Sequence, residues 1–223
     1  MKHIYILGSC RTKFCLTRYH SFNEWPFKYN TCEILLYTIN EIFAFLEIIF
    51  KKNKNFHILK KFHETSCFKT FTNISTNSFF KQQQKFINEC DIVVMEISTL
   101  KDKINNNNNY GFRFSSSSEL KHLIDKTMKI YFPNKQLILV PHIYIPSLSY
   151  LFNRKKIEMI LEKIVLEHKQ KNINTLFFKP SLMFFPHTDN RYSKFFRDIN
   201  HYNKNGHQLF EKTFFHFLLE NCN

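Results

Sequence analysis

Three residues near the two ends of the chain have the types and spacing that nucleophilic acyl chemistry requires. Ser9 follows Gly8 directly after the apolar run Ile4–Leu7, so we expect it on a tight turn at the end of a short buried strand. Asp198 and His201 are three residues apart near the other end. A serine hydroxyl attacks only when a base takes its proton, and the base needs an acceptor that orients its ring. The sequence therefore predicts Ser9 as nucleophile, His201 as general base and Asp198 as orienting carboxylate.

The segments that must position these residues alternate short apolar runs with longer helical periods, which is typical of βαβ units. We predict strands at 3–7, 55–59, 91–97, 136–140 and 174–178, with 91–97 in the centre. Helices are predicted at 31–50, 79–89, 118–129 and 154–169, and a last one runs from its cap Asn203 to Leu219. The expected fold is α/β: a three-layer α/β/α sandwich around a parallel sheet of about five strands, like that of flavodoxin. Ligands of such sheets sit outside the carboxyl ends of the strands, where Ser9 is expected.

The two motifs resemble sequence blocks of the SGNH (GDSL-type) hydrolase superfamily. Its first block places the nucleophilic serine just after strand one, as Gly8-Ser9 does. Its last block is Asp-x-x-His followed by x-Asn-x-x-Gly, and the matching residues are Asp198, His201, Asn203 and Gly206. The resemblance implies a serine esterase or acyl hydrolase that acts on a small O-acyl group, carried by a sugar or a similar molecule.

One branch of the superfamily is the most similar. Gly8-Ser9-Cys10 is similar to the Gly-Ser-Cys turn of the GSCFA-like branch, which occurs in bacteria and large DNA viruses, and a viral origin would suit the A/T-biased composition. Pro141-His142 also resembles a Pro-His segment that ends an internal strand in that branch. His142 is therefore a candidate contact to substrate, with capping of the strand as the alternative.

The residues that would hold an oxyanion depart from the superfamily pattern. No glycine lies between Gly8 and Gly111, so the glycine of the second block is missing. The asparagine of the third block is replaced by the segment Glu96-Ile97-Ser98-Thr99. We expect the Ser9 amide and Ser98 to act as donors, with Cys10 and His142 as further oxyanion or substrate-binding candidates. Loss of one oxyanion donor costs about 10²–10³ in rate.

Two further residues near these positions need an interpretation. Cys10 is an alternative nucleophile, although on a turn it would point away from Ser9, which favours a buried thiol. Glu96 stands inside an apolar strand, and a buried carboxylate needs a partner. We expect a structural pair with Arg11 or Lys101 and favour it over a catalytic role for Glu96.

Composition leaves two other classes of function open. The 32 Lys and Arg against 18 Asp and Glu give a net charge of +14, which fits either an ordinary basic surface or attraction to an anionic partner. The densest basic stretches are Lys51 to Lys61 and Arg154 to Lys156. An O-acyltransferase would use the same three residues, and a non-catalytic binding protein would use the basic surface.

The remaining sequence features indicate one intracellular domain over residues 1–223. The six cysteines contain no C-x-x-C and match no zinc spacing, so we expect reduced thiols, no metal and no cofactor. The apolar run before Gly8 is too short for a signal peptide, which predicts a cytoplasmic protein, in the host cytoplasm if the chain is viral. Residues 102–117 are a low-complexity segment, expected as a loop that is either an idle insertion or a lid.

Overall fold

The computed structural model describes residues 1–9, 12, 15–16, 26–31, 35–51, 76–106, 109–143, 152–181, 192–198 and 201–222. The strands are β1 (Lys2–Leu7), β2 (Phe27–Thr31), β3 (Ile92–Ile97), β4 (Lys101–Asn106), β5 (Asn109–Phe114), β6 (Gln136–Pro141), β7 (Thr175–Phe177), β8 (Phe196–Asp198) and β9 (His201–Tyr202). The helices are α1 (Ile39–Lys51), α2 (Thr76–Glu89), α3 (Ser117–Tyr131), α4 (Phe152–Gln170), α5 (Tyr192–Phe195) and α6 (Lys204–Asn221).

Five of the described strands form the main sheet, in the order β2-β1-β3-β6-β7, and every neighbouring pair is parallel. β3 is central, as the sequence predicts, and all six of its residues are buried. A β-branched run that is buried on both faces is what a parallel sheet covered by helices needs. The two-stranded sheets β4-β5 and β8-β9 lie outside the main sheet.

The two faces of the sheet are covered by different helices. On one face, Tyr5, Val93 and Leu139 belong to a buried cluster with apolar residues of α1, α2, α3 and α4. On the other, Ile4 and Val94 belong to a cluster with the aromatic residues of α6. Burial on both sides confirms the predicted three-layer α/β/α architecture.

The last helix, α6, runs antiparallel to β1. At its end, Lys2 Nζ donates to the carbonyl oxygen of Cys222. At its start, His207 Nδ1 lies 2.9 Å from Cys15 Sγ, in the segment that follows β1. Because these contacts fix both ends of the helix, the first turn of α6 must lie at the carboxyl edge of the sheet, the edge at which β1 ends.

The segment that precedes α1 crosses this carboxyl edge. Leu36 N donates to Gly8 O at 3.0 Å, and Ser98 N donates to Tyr37 O at 2.9 Å. α1 then begins at a capping box, in which Glu41 N bonds Thr38 Oγ1 at 3.1 Å and Thr38 N bonds Glu41 Oε2 at 3.2 Å. The ends of β1 and β3 are therefore held together by backbone hydrogen bonds.

Two predicted elements differ from the structure, and a third lies outside the residues that it describes. The third is the strand predicted at 55–59. Among the described residues the strand beside β1 at the end of the sheet is Phe27–Thr31, which the sequence did not predict and which is half-exposed and polar at Lys28, Asn30 and Thr31. The helix predicted at 31–50 begins only at Ile39, because the Thr38–Glu41 capping box starts it there. Much of the segment 102–117, expected as a loop, is the antiparallel hairpin β4-β5. That one domain spans 1–223 stays a prediction.

Candidate active site

A short hairpin brings Asp198 and His201 together. β8 and β9 pair antiparallel, with Phe196 opposite Tyr202 and Asp198 opposite His201. Phe196 and Tyr202 are 4% and 5% exposed, and their ring centroids are 5.3 Å apart. This aromatic pair anchors the hairpin in the core on the α6 side of the sheet. In this protein, the Asp-x-x-His spacing therefore places Asp198 and His201 opposite each other on two paired strands.

The imidazole of His201 is oriented by the carboxylate of Asp198. Nδ1 of His201 lies 2.8 Å from both Asp198 Oδ1 and Asp198 Oδ2. A carboxylate only accepts, so Nδ1 carries a hydrogen, and in the neutral ring Nε2 then has the lone pair. The side chains of His201 and Asp198 are 42% and 46% exposed, so the pair lies at the surface of the described structure. Such a pair can act as an oriented general base.

The residues after His201 attach this hairpin to α6. Asn203 caps the helix, with its Oδ1 accepting from Gly206 N at 3.0 Å. The backbone N and the side-chain Nδ2 of Asn203 also donate to Phe195 O at 3.0 Å and Lys194 O at 2.9 Å. The Asn and Gly of the last motif thus hold the helix start against the chain that leads into the hairpin.

Ser9 lies directly after β1, and its hydroxyl is bonded to a buried carboxylate. The residue is 0% exposed. Ser9 Oγ donates to Glu96 Oε1 at 2.5 Å, and Ser9 N donates to Glu96 Oε2 at 3.1 Å. The two residues meet because β1 and β3 are neighbours and Glu96 points to the α6 face of β3, together with Ile92 and Val94.

Gly8 permits this contact between the two strands. A Cβ at Gly8 would lie 2.6 Å from Glu96 Cβ and 3.3 Å from Glu96 Oε2. Only a residue without a side chain leaves the room that Glu96 occupies. The glycine before the serine therefore lets the carboxylate reach the Ser9 amide.

The partners of Glu96 were not foreseen from sequence, which favoured Arg11 or Lys101. Arg11 lies outside the described residues. The described donors are Ser9, Ser98, whose Oγ lies 2.9 Å from Oε1, and the backbone N of Thr12, 3.3 Å from Oε2. The signal in the sequence was a glutamate within an apolar run, and the structure shows it to be 2% exposed on the strand next to β1.

The other candidate residues follow neighbouring strands at the same edge. Ser98, after β3, is 5% exposed and shares Glu96 with Ser9, so the structure brings it close to Ser9. His142, after β6, is 4% exposed, and its backbone N donates to Ile97 O at 3.2 Å. Cys10 lies outside the described residues.

The structure places Ser9 and His201 at one edge but does not bond them to each other. β1 delivers Ser9 to the carboxyl edge, and the first turn of α6, which follows His201, lies there too. Both residues are described, and no hydrogen bond joins them; Ser9 Oγ bonds Glu96 and His201 bonds Asp198. The assignment of all three to one triad stays a prediction.

Neither a metal-binding cluster nor a membrane-spanning helix occurs in the part of the chain that the structure describes. No group of three or more His, Cys, Asp or Glu side chains there has metal-binding geometry. No described helix is both long enough and apolar enough to cross a membrane.

Comparison with known proteins gives matches at the level of structure. Neither a protein-family model nor a curated protein matches the sequence. One solved structure that resembles the fold is a mutant of an acetyl-xylooligosaccharide esterase from Geobacillus stearothermophilus, with 13% identity, a TM-score of 0.48 and coverage of 100% of this chain and 94% of that one. A GDSL-like lipase from Parabacteroides merdae, described as putative in its structure report, has 15% identity, a TM-score of 0.45 and coverage of 96% and 94%.

The neighbours thus include acetylxylan esterases and a GDSL-like lipase. At sequence identities of 13% and 15% and TM-scores below 0.5, these likenesses say nothing about the activity of this chain. Any assignment of activity to this chain has to come from the geometry of Asp198, His201, Ser9 and Glu96.

Proposed function

We propose that the protein is a serine acyl hydrolase that cleaves a small O-acyl ester. The observation that carries the proposal is the Asp198–His201 pair, in which two contacts of 2.8 Å hold Nδ1 and leave Nε2 as a base. This pair precedes a helix whose start lies at the edge to which β1 brings Ser9. An oriented histidine and a serine on a turn are the groups that acyl chemistry requires.

In the proposed reaction, Ser9 Oγ attacks the acyl carbonyl while His201 Nε2 takes the hydroxyl proton. Asp198 holds the ring and stabilises the imidazolium that forms. His201 then returns the proton to the leaving alcohol, and the acyl group stays on Ser9 Oγ. A water molecule, deprotonated by His201, releases the acid and restores Ser9. The Ser9 amide, Ser98 and His142 are the proposed contacts to the acyl group, together with Cys10.

The resting geometry sets one condition for this reaction. Because Ser9 Oγ donates to Glu96 and Ser9 is 0% exposed, the hydroxyl must leave Glu96 before it can donate to His201. A rotation about χ1 of Ser9 and an opening above it are therefore part of the proposal.

The finer assignments rest on the sequence motifs. Gly8-Ser9-Cys10 supports the GSCFA-like branch, with its occurrence in large DNA viruses, and the superfamily resemblance supports an acyl group carried by a carbohydrate. Transfer to a second alcohol in place of water would use the same residues, and a cytoplasmic location follows from the sequence prediction alone.

A second candidate function is a non-catalytic binding protein on the same fold. The complete burial of Ser9 against Glu96 favours it. The basic surface that it would use is only partly described, because most of Lys51 to Lys61 lies outside the described residues.

Hydrolysis of short-chain p-nitrophenyl esters tests the proposal. We expect turnover by the wild type, and loss of at least about 10³ in kcat with Ser9→Ala and with His201→Ala, each shown to be folded by circular dichroism. His216→Ala is the matched control, because His216 is exposed further along α6. Turnover that is the same in the wild type and in both site variants would refute the triad. A wild type inactive on esters, with no acyl adduct on Ser9, would favour the binding protein.

A further inference from the structure

The carboxylate of Glu96 is bound by more donors than any other carboxylate that the described contacts contain. Oε1 accepts from Ser9 Oγ at 2.5 Å and Ser98 Oγ at 2.9 Å. Oε2 accepts from Ser9 N at 3.1 Å and Thr12 N at 3.3 Å. A buried charge is costly unless it is hydrogen-bonded, and hydrogen bonds to an ionised group are the strong ones. The contacts thus stabilise Glu96 in this position.

Two of these donors are groups that the proposed reaction needs. The proton of Ser9 Oγ has to pass to His201, and Ser9 N is the proposed donor to the oxyanion. Both are engaged by Glu96. A carboxylate charge beside the reacting carbonyl would also oppose the negative charge that develops on the oxyanion.

We infer that Glu96 holds Ser9 in a resting state, and that acyl transfer begins when this carboxylate releases the Ser9 hydroxyl and amide. The inference rests on the proposed function, since it concerns the same nucleophile. Glu96 is thereby a residue that controls the position of Ser9, and His201 remains the base.

The close packing between Gly8 and Glu96 supports the inference independently. The Cβ that Gly8 lacks would lie 2.6 Å from Glu96 Cβ. A side chain at position 8 would therefore collide with that of Glu96, and glycine leaves the carboxylate the room to reach Ser9 N.

Glu96→Gln tests the inference with little change in shape. The amide oxygen of the new side chain can accept from Ser9 N and Thr12 N, whereas its NH₂ group donates to Ser9 Oγ and Ser98 Oγ. The Ser9 hydroxyl then has to donate elsewhere. We expect a fluorophosphonate probe to label Ser9 at a maximal rate roughly tenfold or more above that of the wild type, given the strength of hydrogen bonds to charged groups. The probe concentration at half-maximal rate should be unchanged.

Glu158→Gln is the matched control. Glu158 is also buried, at 6% exposure, and also accepts from a serine hydroxyl, that of Ser181. Ser181 follows β7, which lies three strands from β1 in the sheet. The control should label at the wild-type rate, and Ser9→Ala in either background should remove the adduct, located by peptide mass spectrometry.

The outcomes separate the inference from the proposed function. Faster labelling of Ser9 in Glu96→Gln supports the inference. Labelling of the wild type with equal or slower labelling of the folded variant overturns it and would make Glu96 a group that aids attack. No labelling of Ser9 in either protein refutes the proposed function and the inference with it. If Glu96→Gln does not fold, Glu96→Asp replaces it. The shorter side chain draws the carboxylate away from Ser9, so the labelling rate should lie between the wild-type rate and the rate expected for Glu96→Gln. A labelling rate equal to or below that of the wild type would overturn the inference.

Discussion

Gly206 lies against the carbonyl group of Phe195, at the point where α6 meets the chain that leads into the Asp198–His201 hairpin. A Cβ on Gly206 would lie 2.1 Å from Phe195 O and 3.0 Å from Tyr202 Cβ. The last glycine of the chain is therefore required by close packing of backbone on backbone. It allows the first turn of α6 to approach the hairpin that carries Asp198 and His201.

Gly206→Ala should destabilise the fold by about 3 kcal/mol, because neither the helix backbone nor Phe195 O can move away cheaply. Urea unfolding would measure the change. Asn205→Ala is the control, since Asn205 is exposed in the same turn and gains helix propensity. Stabilisation by Gly206→Ala, as at an ordinary helical glycine, would contradict the contact.

Asp198→Asn should lower kcat for ester hydrolysis by about 10³–10⁴, because the amide would bind the wrong tautomer of His201. Asp198 is half-exposed, so stability should change by no more than about 0.5 kcal/mol. Steady-state kinetics with Asp91→Asn as control would measure this, since the Asp91 carboxylate accepts only from His3 N among its described hydrogen bonds. A kcat within tenfold of the wild type would exclude the orienting role.

The stability that Glu211→Gln gains over the wild type should be larger at pH 8 than at pH 4. Glu211 is 1% exposed on α6, and burial raises its pKa to about 7 from 4.5. Between these values the folded state keeps a proton that the unfolded state has released, so wild-type stability falls as the pH rises through this window. The shift corresponds to roughly 3 kcal/mol above pH 7.

Urea midpoints of the wild type and Glu211→Gln from pH 4 to pH 8 would measure this difference. Tyr29 is the titratable group that interacts with Glu211 from β2, and burial, with Glu211 next, raises the pKa of its hydroxyl. Glu220→Gln is the control, because Glu220 is exposed on the same helix. A difference in stability that does not vary with pH would show that Glu211 does not titrate in this range.

Thr175→Val should destabilise the fold by about 1–2 kcal/mol and leave ester hydrolysis unchanged. His168, 1% exposed, lies between Thr175 Oγ1 at 2.9 Å and Asp125 Oδ1 at 2.7 Å. Thr175 begins β7 and so lies at the amino edge, opposite Ser9. This second constellation of Asp, His and hydroxyl is therefore structural.

Calorimetry or urea unfolding would measure the loss in Thr175→Val. Thr127→Val is the control, because the buried hydroxyl of Thr127 has no hydrogen-bond partner among the described residues and its removal should be neutral or stabilising. Equal effects of the two substitutions would mean that the bond to His168 contributes nothing to stability.

The strands of the sheet centre could be predicted from the sequence because a strand that is buried on both faces consists mainly of apolar residues. Ile92–Ile97 and Gln136–Pro141 are such runs, and the prediction of each is confirmed to within one residue. The strand Phe27–Thr31 could not be predicted in this way. Among the described strands it has a neighbour on one side only, so most of its side chains are partly exposed and its sequence reads as a polar segment.

The candidate site was predictable only where local spacing decides the contact. Asp198 and His201 are three residues apart, so their contact follows from a short turn. The contact of Ser9 with Glu96 joins residues 87 apart and depends on which strand lies beside β1. A glutamate in an apolar strand indicates that the carboxylate has a hydrogen-bond partner, but the sequence does not show which residue that is.

The bond between Lys2 and Cys222 spans 220 residues of sequence and has a consequence for biosynthesis. The face of β1 that carries Ile4 and Ile6 is covered by α6, and a ribosome adding 5–20 residues per second delivers α6 roughly 10 to 40 s after β1. Until then, one side of the first strand stays open to water and to other nascent chains. Expression at low temperature, or together with a chaperone that shields apolar surface, should therefore raise the yield of folded protein. Substitutions in the Asp198–His201 hairpin should alter that yield less.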